Sequence, residues 1–263
     1  MEIAAAFSLQ IWLVWCARIT RLAGVKEMRR EYCRWFSGSL GRDMEMLVFG
    51  HSGLPIFVFP TSGGRFYEFE ENGMVHAVEG EIETGRLQLF CVDSVNLESW
   101  YNRDVPPRWR IARHMQYEEY LLTEVLPLIR QWNGPQRPIA LGCSLGGYNA
   151  ADIALRHPTI FQGFLSLSGI FDPSRFLQGY YDEDVYFHSP PHFLPSLNSV
   201  DELTKYQGNI YVLATGDHDQ CWDANERMAE IFRTKRIAHR LDVWSHGTRH
   251  DWPWWRQMIQ AYL

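Results

Sequence analysis

Short apolar runs alternate with segments of helical periodicity along most of the chain. The runs that we predict to be buried strands are 44–50, 54–60, 87–95, 138–144, 163–169, 209–216 and 239–244. Apolar side chains recur at the spacing of one helix face in 117–132, 146–156, 222–235 and 253–262. Strands that alternate with helices form a mostly parallel central sheet with helices on both faces, so we predict an α/β protein.

Two stretches depart from this alternation. The runs 44–50 and 54–60 are separated by only three residues, 51–53, which predicts a β-hairpin. Residues 172–199 are rich in Tyr, Phe, His and Pro and have no clear period. We therefore predict a long loop or a small lid there, over one end of the sheet.

The N-terminus has an apolar stretch of its own, at 4–17. The basic residues that precede the core of a signal peptide are missing, and Arg18 and Arg21 end the stretch short of the ~20 residues that a membrane span needs. We predict that 1–27 is an N-terminal extension or peripheral helix and that 28–263 is a single domain, with no integral membrane span. If 1–27 acts as a signal instead, the protein is secreted.

The amino-acid composition limits which classes of partner and which cellular compartment we expect. With 263 residues, 46% of them hydrophobic, the chain can bury one sizeable core without metals or disulfides. Lys and Arg number 25 against 31 Asp and Glu, a net charge of -6, so we expect no nucleic acid and no anionic lipid as a partner. The five cysteines are scattered and lack CxxC spacing, which argues against a disulfide framework or a zinc site and favours a reducing, cytoplasmic location.

A serine stands between glycines where the strand 138–144 runs straight into the helix 146–156. Such a turn forces a strained backbone that is tolerated only between small residues, and Gly142 to Gly146 form this G-x-S-x-G pattern. Ser144 would then be displayed at the carboxyl end of the sheet, beside a helix N-terminus, as a candidate nucleophile on a nucleophile elbow. The alternatives are a structural serine, or Cys143 as nucleophile, although that thiol points the opposite way and is predicted to be buried.

A nucleophilic serine needs a base to accept its proton and a carboxylate to orient that base. On a sheet of this kind both come later in the chain, acid first and histidine second, each in a loop that follows a strand. Asp217 and Asp219 follow the strand 209–216, and His246 and His250 follow the strand 239–244.

We prefer Asp219 and His250 as the acid and the base of the predicted catalytic triad. Asp219 lies far enough beyond its strand to turn back over the sheet edge, whereas Asp217 directly follows a glycine and would shape the turn. His250 immediately precedes a helix start that would anchor its loop, whereas His246 precedes the flexible Gly247. The spacing of the two histidines also suits zinc, but the glycine and the missing helix argue against a metal.

An oxyanion hole and a substrate pocket are predicted at the same rim. The amide of Leu145 would donate one hydrogen bond to the oxyanion, and the loop 61–64 after an early strand would supply a second, with Ser62 and Gly63 as candidates. The residues alone leave open which amide donates, and whether the loop is merely a glycine turn. Trp100 and Tyr101 either line the pocket or pack the helix that follows.

From about Tyr32 to the C-terminus the chain resembles the "Putative esterase" family of the α/β hydrolases, which includes S-formylglutathione hydrolase, feruloyl esterases and mycolyltransferases. The resemblance rests on FPTSGGRFYEF, CVDSVNLESWYNRD, GCSLGGYNAADIALRHP, GDHD and RHDWPWW. It implies the α/β-hydrolase fold, with Ser144 as nucleophile, Asp219 as acid and His250 as base. The chain departs from the family where Thr248 and Arg249 stand directly before the histidine.

These observations predict a serine esterase that needs no cofactor and acts on a small-molecule ester through an acyl-enzyme. An acyltransferase that passes the acyl group to an alcohol is the alternative, and a binding protein without turnover is a third hypothesis. Aromatic residues at Trp100 and at 180–193 favour an apolar or ring-bearing substrate group. The sequence leaves the oligomeric state open, a homo-oligomer included.

Overall fold

The computed structural model describes residues 15–18 and 28–263, and nine strands lie within them. They are β1 Trp15–Arg18, β2 Arg30–Ser37, β3 Arg42–Phe49, β4 Leu54–Phe59, β5 Leu87–Val92, β6 Ile139–Cys143, β7 Gly163–Leu167, β8 Ile210–Gly216 and β9 Arg240–Trp244. They form one sheet in the order β1-β2-β3-β5-β4-β6-β7-β8-β9. Strands β4 to β9 are parallel to one another, and β1 to β3 form an antiparallel edge beside β5. The predicted mostly parallel sheet is confirmed.

Helices cover both faces of this sheet, as predicted. They are α1 Glu68–Glu71, α2 Met74–Ala77, α3 Glu79–Glu83, α4 Pro107–Tyr120, α5 Leu126–Asn133, α6 Leu145–Arg156, α7 Glu183–Phe187, α8 Pro190–Phe193, α9 Val200–Thr204, α10 Trp222–Thr234 and α11 Trp252–Tyr262. Helices α4, α5, α6 and α10 share one apolar core, and α1, α2, α3 and α11 share the core on the opposite face. None of the described helices is long and apolar enough to cross a membrane.

The alternation of side chains along the central strands explains the two cores. Phe57 and Phe90 point to the core beneath α4 and α6, whereas their neighbours Ile56 and Leu89 point to the core beneath α11. Both faces of a parallel sheet are buried in this way, so its strands are continuous apolar runs rather than alternating ones. This is why the central strands stand out in the sequence.

Helix α4 begins ten residues before the start that the sequence predicts for it. It continues through one π-helical turn, Leu121–Val125, into α5. Its first half is polar and shows no apolar stripe, but it buries Arg110 and His114. Polar side chains that are buried by tertiary contacts leave no helical period in the sequence, so the prediction began only at the apolar second half.

The predicted hairpin between 44–50 and 54–60 is wrong. Strand β5 lies between β3 and β4, antiparallel to the first and parallel to the second. The link 50–53 passes over the start of β5, where the amide of Leu54 donates to the carbonyl of Arg86 at 2.8 Å. Gly53 has φ of 101°, and a Cβ there would lie 2.3 Å from the carbonyl carbon of Arg86. Gly53 therefore allows the chain to cross over a third strand, and it does not form the tight turn of a hairpin.

Most of the predicted N-terminal extension or peripheral helix, 1–27, lies outside the described residues. The exception is β1, whose backbone pairs antiparallel with β2. Cys33 on β2 is disulfide-bonded, a bond that the reading of the cysteines did not anticipate. Cys91, Cys143 and Cys221 are free and buried.

The segment without sequence periodicity, 172–199, forms short helical turns and not an extended loop. Besides α7 and α8 it contains turns at Pro173–Phe176 and Leu194–Ser196. Helix α7 packs on α4, and α8 packs on α6 and α10. Turns this short bury too few residues to show a periodic pattern, which is why the sequence predicted only a loop or a lid.

Candidate active site

Ser144 occupies the one-residue turn between β6 and α6. Its backbone has φ of 55° and ψ of -119°, outside the helical and strand regions. A Cβ on Gly142 would lie 2.2 Å from the carbonyl carbon of Gly146, and a Cβ on Gly146 would lie 2.5 Å from the carbonyl oxygen of Phe59. The glycines therefore let the strand, the helix and the end of β4 approach one another around the strained serine.

The structure brings together Ser144, His250 and Asp219, which come from three loops. The Ser144 hydroxyl lies 2.9 Å from Nε2 of His250, positioned to donate to it. The Nδ1–H of the same ring donates to Oδ1 of Asp219, also at 2.9 Å. Asp219 follows β8 and His250 follows β9, so both loops leave the same edge of the sheet as the serine turn. The serine and the imidazole are partly exposed, whereas the carboxylate is buried.

The buried carboxylate of Asp219 is held in its charged form. Burial alone would raise its pKa, but interactions with His250, the Ser168 hydroxyl and the Cys221 amide lower the pKa below its ordinary value. The Cys221 amide donates to Oδ1 at 2.8 Å. A carboxylate that stays ionised can stabilise a positive charge on the neighbouring imidazole.

Two residues that support the site, Ser168 and Trp255, were not predicted from the sequence. Trp255 donates its indole N–H to Oγ of Ser168 at 2.8 Å, and its ring meets the His250 ring edge to face at 5.0 Å. Both positions lie next to motifs that were recognised, at the end of the β7 run and in the HDWPWW stretch. A serine at a strand end and a tryptophan in a helix are common, so only their contacts single them out.

Asp217, His246 and Cys143, the alternative candidates for acid, base and nucleophile, have different environments from the residues that were preferred. Asp217 accepts hydrogen bonds from the amides of Gly247 at 3.3 Å and Thr248 at 2.8 Å, and so ties the histidine loop to the loop after β8. His246 is exposed at the turn of that loop, with φ of 71°. Cys143 is buried, and burial raises the pKa of its thiol well above the ordinary value, so it is not an available thiolate.

Thr248, where the chain departs from the esterase pattern, is fully buried. Its carbonyl accepts from the amide of His218 at 3.0 Å. A Cβ on Gly216 would lie 2.1 Å from that same carbonyl oxygen. The glycine that permits the close approach thus stands at the end of β8 and not directly before the histidine, and the loop of His250 is still held in place.

The loop 61–64 lies beside the serine turn. The Thr61 amide donates to Glu68 at 2.8 Å, and the Gly64 amide donates to the Thr61 carbonyl at 3.1 Å. The amides of Ser62 and Gly63 have no acceptor among the residues that the structure describes. The first amides of a helix likewise lack partners within it, and α6 begins at Leu145. Unused amides are therefore present on both the loop and the helix.

A family model described as "Putative esterase" matches residues 93–263, which include the serine, the aspartate and the histidine. The chain belongs to this esterase family. No curated protein is significantly similar to the esterase in sequence.

Solved structures with the same architecture support the fold of the esterase. A ferulic acid esterase has a TM-score of 0.74 at 17% identity, covering 90% of this chain and 97% of its own. An S-formylglutathione hydrolase from Agrobacterium tumefaciens has a TM-score of 0.73 at 16% identity, covering 93% and 96%. MPT51 from Mycobacterium tuberculosis has a TM-score of 0.66 at 15% identity, covering 86% and 92%. The predicted α/β-hydrolase fold is confirmed.

A cavity of about 390 Å³ opens next to the loop 61–64 of the esterase. Its walls include Trp100, Tyr101, Arg103, Arg110, Arg175, Phe176 and Gln178. Tyr101 donates its hydroxyl to Oγ of Ser62 at 2.8 Å, whereas Trp100 is almost fully buried, 4.6 Å from the ring of His114 on α4. Trp100 therefore lines this cavity and also packs against α4.

A second group of titratable side chains lies behind Trp100, at His114, Asp152 and His188. Oδ2 of Asp152 accepts from Nε2 of His114 at 3.1 Å and from Nδ1 of His188 at 2.9 Å. These atoms are close enough to share a metal ion, yet their hydrogen bonds to one another already provide partners. The sequence did not predict this cluster, because its members come from α4, α6 and the 172–199 segment.

Proposed function

We propose that this esterase cleaves carboxylic esters through a covalent acyl-enzyme, with Ser144 as nucleophile, His250 as general base and Asp219 as the orienting acid. The observation that carries the proposal is the unbroken chain of hydrogen bonds from the serine hydroxyl through the imidazole to a buried carboxylate. Each link is 2.9 Å long, within the range for proton transfer and for fixing a tautomer.

Acylation begins when Nε2 of His250 accepts the Ser144 proton while Oγ attacks the ester carbonyl carbon. The carbonyl π electrons move to the oxygen, which the Leu145 amide and an amide of the loop 61–64 stabilise. Because the Thr61 and Gly64 amides already have acceptors, Ser62 and Gly63 are the donors that we propose on that loop. The tetrahedral intermediate collapses, the ester C–O bond breaks, and the imidazolium protonates the departing alcohol.

Deacylation repeats these steps with water. His250 takes a proton from the water, whose oxygen attacks the acyl carbonyl, and the bond to Ser144 Oγ breaks as the serine regains its proton. The ionised Asp219 stabilises the imidazolium in both halves of the cycle, and no cofactor enters any step. The free acid leaves, and the enzyme returns to its starting state.

The test compares p-nitrophenyl esters of increasing chain length on the wild type, Ser144→Ala and Cys143→Ala. We expect Ser144→Ala to lose at least about three decades in kcat, and Cys143→Ala to keep its hydrolysis, because that thiol is buried. A fluorophosphonate should add its mass to Ser144 in the wild type. Wild-type turnover in Ser144→Ala would show that Ser144 is not the nucleophile, whereas no turnover and no adduct in the wild type would favour the binding-protein hypothesis.

The same assay separates hydrolysis from acyl transfer. With a primary alcohol added, we expect the free acid to remain the main product, since water is the acceptor in the proposed cycle. If the alcohol ester becomes the main product at millimolar alcohol, the acyltransferase alternative is the better description.

A further inference from the structure

The cavity beside the proposed active site is positively charged although the whole chain is acidic. Three guanidinium groups, those of Arg103, Arg110 and Arg175, line it, and no carboxylate is among the lining residues that the structure describes. The net charge of the chain is -6. We infer that the ester substrate carries an anionic group, such as a carboxylate, which this cavity binds. The inference rests on the proposed function and adds the substrate class.

Arg110 supplies the strongest observation. Only 2% of this residue is exposed. Its Nη1–H donates to the carbonyl of Phe176 at 2.7 Å and its Nε–H to the carbonyl of Val105 at 3.2 Å. These two bonds orient the guanidinium but do not neutralise it, and Nη2 has no acceptor within the described chain. A buried charge without a counter-ion is costly, so an anion arriving in the cavity would be strongly favoured.

Other arginines near the cavity and in the core do have carboxylate partners. Arg113 lies one turn further along the same helix α4 and binds Glu98 at 2.6 Å. Arg156 on α6 binds Glu118 at 3.1 Å, and Arg65 binds the buried Asp93 at 2.7 Å. In the described residues no such ion pair is formed by the three arginines of the cavity. Their missing partner is what a substrate anion would provide.

The cavity adjoins the proposed catalytic groups on two sides. Tyr101 on its wall binds Ser62 of the loop 61–64. Trp100 packs in one apolar cluster with Leu145 and Cys221, the residues beside the nucleophile and the acid. An anion in the cavity would therefore belong to a molecule that reaches Ser144.

Aromatic surface next to the charges suits the organic part of such a substrate. The Arg175 guanidinium lies over the Phe176 ring at 5.0 Å, and the Tyr101 ring meets the Phe176 ring edge to face at 5.2 Å. A concave site with low-dielectric walls also concentrates its positive potential. The ring-bearing substrate expected from the sequence and the anionic group inferred here are compatible within one molecule.

The test uses two matched pairs of esters, because the geometry does not assign the anion to the acyl or the alcohol side. Mono-p-nitrophenyl glutarate against p-nitrophenyl valerate probes the acyl side, and 4-acetoxybenzoate against its methyl ester probes the alcohol side. The quantity measured is the ratio of kcat/KM for the anionic ester to that for the neutral one. Comparing this ratio between enzyme variants cancels the intrinsic reactivity of the esters.

We expect Arg110→Gln and Arg175→Gln to lower this ratio by about tenfold or more in at least one pair, since each removes a charged donor. Arg108→Gln is the matched control, because Arg108 lies on α4 near the cavity but outside its lining. Its ratio should stay within about twofold of wild type. If Arg110→Gln does not fold, the exposed Arg175 carries the test alone.

Two failures can be told apart. If both arginine variants keep the wild-type ratio in both pairs while neutral esters are still hydrolysed, the anionic substrate is wrong and ester hydrolysis stands. If Ser144→Ala turns over every ester as fast as wild type, the proposed function itself is wrong. Three unpaired guanidiniums would bind any oxyanion, so failure with carboxylates is sufficient to reject the inference.

Discussion

Two histidine–aspartate pairs in this protein have the same hydrogen bond and different surroundings. In His250–Asp219 and in His188–Asp152, Nδ1 lies 2.9 Å from a carboxylate oxygen. The His250 side chain is 17% exposed and the His188 side chain 2%. The remaining nitrogen of His250 lies against the Ser144 hydroxyl, whereas that of His188 lies 3.4 Å from Glu118.

The difference teaches that a carboxylate-bound imidazole is not by itself a base for catalysis. It can act only when its second nitrogen is free of protons and directed at a hydroxyl that substrate can reach. The second nitrogen of His188 faces the Glu118 carboxylate in a buried site, so it is not directed at a hydroxyl that substrate can reach. The first pair has the arrangement that the proposed reaction needs, and the second joins α4 and α6 to the 172–199 segment.

The largest effect should come from Asp219→Asn. We expect kcat for a p-nitrophenyl ester to fall about 10⁴-fold with the fold intact, because an amide would hold the wrong imidazole tautomer. Asp217→Asn is the control two residues away, and it should cost less than about tenfold because it affects only the support of the loop. Steady-state kinetics and a thermal melt of both variants check this. Equal losses in the two variants would remove the distinction between these carboxylates.

We expect Asp152→Asn to lower the free energy of unfolding, whereas Asp219→Asn lowers the catalytic rate. Removing this buried charge leaves His114 and His188 without the carboxylate that they share, so we expect about 3–5 kcal/mol less free energy of unfolding. The kcat of the folded fraction should remain close to wild type. Urea unfolding at pH 7 measures the first quantity, and Asp201→Asn at an exposed position serves as the control. An unchanged urea midpoint would show that the buried pair is dispensable.

The smallest effect is a pH dependence of stability. Burial lowers the pKa of His114 below its ordinary value of 6.5, so the unfolded chain binds a proton in a range where the native ring stays neutral. Its contribution is present above pH 6.5 and is lost as pH falls toward the native pKa, by at most about 1.4 kcal/mol per pH unit.

The depressed pKa of Asp152, opposed by burial and lowered by His188 and His114, adds a second loss below about pH 4. Urea unfolding between pH 7.5 and 5 should therefore give a slope that is reduced in His114→Asn. Below about pH 4, the decrease in the free energy of unfolding that is due to Asp152 should persist in this variant. A slope between pH 7.5 and 5 that matches wild type would place the titrating group elsewhere.

Features that depend on neighbours in sequence could be read from the chain alone. The strained turn at Ser144 needs glycines at fixed offsets, and the loops of Asp219 and His250 follow apolar runs that are easy to recognise. These signals are local, because they arise from backbone sterics and from the burial of both sheet faces. The elbow, the parallel sheet and the order of the candidate triad were therefore predictable.

Features that depend on which distant segments meet required the folded chain. Strand β5 lies between β3 and β4 because strand pairing depends on contacts between segments that are far apart in sequence. A short link such as 50–53 does not reveal whether it forms a hairpin or crosses over a third strand. Arg110 and Arg175 meet in one cavity, and Asp152 meets its histidines, through the packing of α4 and α6 against the 172–199 segment. The sequence of a polar stretch does not indicate whether a charged side chain in it will lie in solvent or in a binding site. Only burial and the absence of a counter-ion distinguish the two, and both are properties of tertiary packing.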